Sequence, residues 1–129
     1  VLLSSTTWGA MDWYRYEGTL SMNWRWVTGT INRDYGEFYV LLCYQTTPWS
    51  FSIESVGGGP PLFSGEFDQE GTKLQFRASG LAGETLVGRG SFNAKFTSLN
   101  LQGWAFFRAA RSWFGQYRFR GAFVDVISQ

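Results

Sequence analysis

Leu20-Ser21-Met22-Asn23-Trp24-Arg25-Trp26-Val27 is the stretch that decides the fold. Side chains alternate across an extended chain, so Leu20, Met22, Trp24 and Trp26 share one face. Ser21, Asn23 and Arg25 take the other. A helix of 3.6-residue period would scatter both sets around its axis. The stretch therefore reads as a strand with one face for a core and one for water.

The same pattern continues outward from it. Met11 to Glu17 precedes it as a strand, and Thr28-Gly29-Thr30 with Asn32 to Gly36 reads as turn material. Glu37 to Gln45 follows, with Phe38, Val40, Leu42 and Tyr44 on one face and Tyr39, Leu41 and Cys43 on the other. Trp49 to Ser55 alternates strictly. Gly57 to Pro61 breaks the ladder, because proline lacks an amide donor. Leu62 to Asp68 and Lys73 to Ser79 form a hairpin around Gln69 to Thr72, and Glu84 to Phe96, Leu99 to Arg108 and Gln116 to Val126 complete the set. No segment of ten or more glycine-free residues combines a 3.6 period with a cap, and Trp104 to Trp113 comes nearest.

An all-β chain of about eight or nine antiparallel strands with short connections must close or split into layers, since open edges template aggregation. The reading favours one domain over residues 1–129, a small closed antiparallel β-barrel of about eight strands, with a two-sheet sandwich as the alternative. Gly88 and Gly90 share one strand face, where barrels place glycines to bend. Glu37 to Gln45 is apolar on both faces, so its outer face needs a cover. The segment Val1 to Thr7 supplies one candidate cover, and a homodimer through residues 37–45 the other.

Composition excludes several chemistries. The chain has 129 residues, with 7 Trp, 6 Tyr and 12 Phe, no His and one Cys. Without His there is no Ser-His-Asp triad, Cys-His dyad or His-ligated zinc. A lone Cys43 permits neither an intrachain disulfide nor a thiolate zinc cluster, and on an apolar strand it reads as a buried inert thiol. A net charge of +1 does not favour a nucleic-acid partner. No apolar run approaches the ~20 residues of a membrane-spanning helix. The expected metal and cofactor complement is none. The start lacks an initiator Met and a basic leader, which reads as a processed or trimmed product. A single cysteine fits a reducing compartment, so a soluble cytoplasmic location stands ahead of a secreted one.

Three clusters carry a chemical reading and a simpler one. Gly83 to Gly90 has the spacing of a phosphate loop, but Arg89 and Gly90 stand where Lys and Ser/Thr are required, and strand bending explains the glycines. Glu66 and Asp68 share a face near Glu70; charges that blunt an edge explain them better than an acid–base pair or a cation site. Arg108, Arg111, Arg118 and Arg120 could hold a carboxylate, phosphate or sulfate, although an outward polar face accounts for their alternation. The nine Arg against two Lys also suit stacking on aromatic rings.

The pattern of short aromatic strands resembles, in architecture alone, the small ligand-binding barrels of the lipocalin, avidin and allene-oxide-cyclase type. The lipocalin Gly-x-Trp opening is not matched by Trp8-Gly9. The leading expectation is a binder of a hydrophobic or polycyclic small molecule, held by Trp24, Trp26, Phe38, Phe51, Phe76, Tyr117 and Phe119, with Tyr44 or Arg25 as the polar group. The alternative is a cyclase or isomerase of a natural-product pathway that works by positioning substrate without His or metal. A carbohydrate- or partner-binding surface module is the third reading.

Overall fold

The structure, a computed structural model, describes residues 10–26, 29–107 and 114–129, and gives side chains for these outside 25–35 and 114. The strands are β1 (Asp12–Trp26), β2 (Gly29–Cys43), β3 (Trp49–Ser55), β4 (Phe63–Glu70), β5 (Lys73–Gly80), β6 (Thr85–Phe92), β7 (Ser98–Phe106) and β8 (Phe114–Ser128). Each pairs antiparallel with the next, and β8 pairs with β1 from Ser128 opposite Asp12 to Phe114 opposite Arg25. The barrel is closed, and no helix occurs among the described residues.

The strands are unequal. β1, β2 and β8 have 15 residues each, and β3 has 7. At roughly 3.4 Å per residue the long strands span about 50 Å and the shortest about 24 Å. This length corrects two expectations. The chain does not break at Gly18, and residues 29–36 are strand, not turn. Gly18 lies opposite Gly121 of β8, where a Cβ would overlap the Arg120 carbonyl oxygen. It permits close approach of two backbones, which a sequence reading mistakes for a breaker. The polar run Asn32 to Gly36 fits a strand because the register shifts at Leu20/Ser21: Leu20 faces Gly36 and Ser21 faces Asp34, so Tyr35 is a bulge. Gly36 takes φ 102° there, which glycine adopts at no steric cost.

β6 also ends earlier than expected, at Phe92. Asn93 Oδ1 accepts the backbone N–H groups of Thr97 at 2.8 Å and Ser98 at 3.1 Å. This side-chain capture closes a turn in which Phe96 takes φ 59°.

The inward face is packed with side chains. Phe51 and Phe76 stack at 4.6 Å with 13° between ring planes, and Phe63 meets Tyr117 edge-on at 5.2 Å. Phe119, Leu86, Leu99 and Val40 have no exposed surface. Each such side chain contributes about 1.5–3 kcal/mol by leaving water. On the outer face Leu41, Cys43 and Ser52 are nonetheless buried, at 2 %, 0 % and 5 % exposure, within one chain. Cys43 is a free thiol. Val1 to Thr7, Arg108, Arg111 and Trp113 lie outside the described residues.

Across the β1–β8 seam, Arg15 Nε and Nη2 donate to the two carboxylate oxygens of Asp125, each at 2.7 Å. The Arg15 guanidinium also lies over the Tyr39 ring at 4.3 Å. These hydrogen bonds hold the Asp125 carboxyl below its usual 3.8. A depressed acid pKa stabilises the fold above the unfolded value and loses that contribution as pH falls through the folded one. The wild type is therefore expected to out-melt Asp125→Asn at neutral pH, with the gap closing below pH 3.8. Thermal melts across that range test it, and a pH-independent gap refutes the pairing.

Candidate functional site

One end of the barrel is a bowl of tyrosines. Tyr14 and Tyr16 are two residues apart on β1, so both point inward at the barrel rim. Tyr44, just past the end of β2, meets Tyr14 edge-on at 5.7 Å and is backed by Trp49 at 5.0 Å and Phe67 at 5.3 Å. Tyr16 packs on Phe92 and on Phe123, at 5.5 Å each. The turn after β6 brings Phe96 over the rim, 5.2 Å from Phe92. Asp12, Tyr14, Tyr16, Tyr44, Gln45 and Phe96 line an open hollow of about 360 Å³.

Its polar atoms are mostly committed. Tyr16 Oη donates to the Phe96 carbonyl at 2.7 Å, and Tyr44 Oη donates to Gln69 Oε1 at 2.5 Å. The Asp12 amide donates to Gln45 Oε1 at 2.5 Å. The Tyr14 hydroxyl has no hydrogen-bond partner among the described residues, and Tyr14 is 40 % exposed. Burial, reinforced by Tyr44 and Tyr14, pushes the Tyr16 phenol up to about 12. Burial also raises Tyr44, although the Gln69 hydrogen bond opposes it. Both phenols therefore stay neutral at physiological pH. Among the described residues no three potential ligands converge on a metal position.

The residues singled out in the sequence separate in space. Tyr44 lines the bowl. Phe51, Phe76, Tyr117 and Phe119 are core, at 5 % exposure or less. Trp24, at 7 % exposure, packs edge-on to Tyr117 at 5.9 Å and near Phe107 at 6.1 Å. Phe38 packs against the same core. The side chains of Trp26 and Arg25 lie outside the described residues. Tyr14, Tyr16 and Phe96 join Tyr44 in the bowl and are not among the residues the sequence singles out. Tyr14 and Tyr16 sit two apart in Met11 to Glu17, a visible signal, but nothing local ties them to Phe96, 80 residues on from Tyr16.

A second hollow, of about 440 Å³, lies on the outside of β5 to β8. Lys73, Arg89, Arg118 and Arg120 line it together with Ser91, Asn100 and Gln102. Glu66, Asp68 and Glu70 point outward on β4, opposite Arg77, Gln75 and Lys73.

No known family model and no curated protein matches the chain. Solved structures do. A Transferrin Binding Protein B mutant from Haemophilus parasuis Hp5, described as a vaccine antigen, superposes with a TM-score of 0.61 at 12 % identity, over 91 % of this chain and 27 % of that one. A double mutant of the same protein gives 0.59 at 11 % identity, over 91 % and 26 %. Intact Ap-TbpB, with N and C lobes, gives 0.58 at 11 % identity, over 94 % and 27 %. The chain thus spans about a quarter of the length of these proteins. The likeness defines an aromatic-rich closed β-barrel similar in fold to part of Transferrin Binding Protein B. No helix among the described residues is long and apolar enough to cross a membrane.

Proposed function

We propose that this barrel is a binding module whose tyrosine bowl takes a flat apolar small molecule, aromatic or polycyclic, with one polar substituent. The carrying observation is the bowl itself: three tyrosines and Phe96 around about 360 Å³, the size range of small-ligand sites. The Tyr16 and Tyr44 hydroxyls are already bonded within the protein, so their rings face the ligand, and the Tyr14 hydroxyl and Asp12 carboxylate are left to orient a substituent. Binding fits better than catalysis, because the phenols are displaced away from the pH at which proton transfer is useful. Trp24, Phe38, Phe51, Phe76, Tyr117 and Phe119 then serve the site by holding the barrel rigid beneath it.

A second reading is capture of a protein partner. It is favoured by the likeness in fold to a protein named for transferrin binding. The exposed apolar rim of Phe123, Val124 and Val126 beside Tyr14 favours it as well. A homodimer through residues 37–45 has less to recommend it, since Leu41 and Cys43 are buried without one.

Trp49 lies 5.0 Å from Tyr44 and reports on the bowl. Titration with estradiol, a neutral polycyclic phenol, is expected to change tryptophan fluorescence saturably. Tyr14→Ala is expected to weaken binding roughly tenfold or more, the loss of one aromatic contact surface. Equal affinity of wild type and variant, or no response of the wild type, refutes the small-molecule reading.

A further inference from the structure

We propose that the outer trough across β5 to β8 is a second, independent binding site, for an acidic polysaccharide. The register builds it from two lines of side chains that cross the strands. In one, Gln75, Arg89, Gln102 and Arg118 stand opposite one another on β5, β6, β7 and β8. In the other, Lys73, Ser91, Asn100 and Arg120 do the same. The lines are two residues apart along each strand, about 7 Å. Between them Gly90, Leu101 and Phe119 point inward, so only backbone floors the trough. Gly90 belongs to the inner face, where a Cβ has no room against the Leu101 side chain.

Charge in the trough is one-sided. Four cations line it, and no carboxylate does. Lys73, Arg89, Arg118 and Arg120 have no ion pair among the described residues, although the net charge of the whole chain is only +1. Along the β1 flank Arg118 faces Ser21 and Arg120 faces Thr19, both neutral; the acids lie beyond the β5 end of the lines, Asp68 opposite Gln75 and Glu70 opposite Lys73. With strands about 4.8 Å apart, Arg89 and Arg118 are separated by about 10 Å and Lys73 and Arg120 by about 14 Å. A single small anion cannot engage both pairs. A chain that carries anions at intervals can.

The groups between the cations choose the chemistry of that chain. Ser91, Asn100 and Gln102 offer hydroxyl and amide groups that both donate and accept, as sugar hydroxyls do. Arginine forks match carboxylate or sulfate oxygens. Single-stranded nucleic acid wants aromatic rings exposed inside its basic groove. Here Phe119 is the one aromatic in the lining and has no exposed surface, and the neighbouring outward ring, Trp104, lies beside the trough with the Arg89 guanidinium 6.0 Å over it. Duplex binders carry a pI above about 9, whereas this chain has about 8.1.

The test is binding of the full chain to heparin, with unsulfated dextran and single-stranded oligonucleotide in parallel. Wild type is expected to bind heparin, to release it with rising salt, and to ignore dextran. Arg89→Gln/Arg118→Gln is expected to lose at least tenfold in heparin affinity, the loss of two charge-assisted contacts. Both side chains are exposed, so an unchanged melting temperature confirms that this variant is folded. Lys95→Gln, a cation exposed in the turn after β6, should bind as wild type. Absence of heparin binding, equal weakening by Lys95→Gln, or binding to dextran overturns the proposal. Oligonucleotide bound as tightly as heparin overturns the choice of polysaccharide. Estradiol titration of the same variant should be unchanged, so failure at one site does not count against the other.

Discussion

Replacing Gly88 by alanine is expected to destabilise the barrel more than any other single-methyl addition away from Gly18 and Gly65. Gly88 sits on β6 opposite Gly103 of β7 and Phe76 of β5, and the Phe76 ring lies over both glycines. A Cβ on Gly88 would overlap the Gln102 carbonyl oxygen, and would come within 2.6 Å of the Gly103 Cα and 2.7 Å of the Phe76 ring. Two of these neighbours are backbone in register and cannot give way without parting β6 from β7. The third cannot retreat, because Phe76 is stacked on Phe51 at 4.6 Å. Overpacking a core costs about 1–3 kcal/mol when neighbours can adjust, and more when they cannot. Against a domain stability of roughly 5–15 kcal/mol, the expected result is a large fall in urea midpoint or insoluble protein. Gly57→Ala is the control: its Cβ would lie 3.6 Å from Ser55 Oγ, an ordinary contact. If Gly88→Ala unfolds at the same urea concentration as Gly57→Ala, the packing of this side of the barrel is wrong.

Gly88 also marks where a sequence reading succeeds. Placing Gly88 and Gly90 on one face of a curved strand needs only alternation and the rarity of glycine in strands. The inward set on β1 is equally legible: Leu20, Met22 and Trp24 follow the period of two and are all buried. Trp49 to Ser55 is a strand at its expected bounds. The errors share a cause. Gly18 and the run Asn32 to Gly36 have the composition of turns, yet pairing partners far away in sequence hold them in strands. Local propensity carries no record of Gly121, which makes Gly18 necessary. The bowl was hidden for the same reason. Tyr14, Tyr44 and Phe96 belong to segments that meet only when the barrel closes, and Phe96 arrives through a turn that Asn93 holds shut. The trough was half visible: Arg118 and Arg120 share a face by alternation, but Arg89 and Lys73 join them only through the register.

Phe51→Ala separates a packed core from a ligand cavity by size of effect. Phe51 is the third of the seven residues of β3, 1 % exposed, with Leu42 and Gly65 opposite it on β2 and β4. Its ring stacks on Phe76, and that contact holds Phe76 against Gly88. Removing the ring takes away its transfer free energy and leaves a void that β-barrel strands, locked by hydrogen bonds on both sides, cannot collapse into. Phe→Ala in such surroundings costs about 3–5 kcal/mol. Equilibrium urea denaturation of the ligand-free protein is expected to show that loss, with estradiol affinity at the tyrosine bowl changed far less than by Tyr14→Ala in the variant that remains folded. Phe51→Leu should recover most of the stability, because it refills the void with apolar volume. The opposite pattern, under about 1 kcal/mol lost in stability with binding abolished, would make Phe51 a wall of a ligand cavity and move the site from the rim into the barrel.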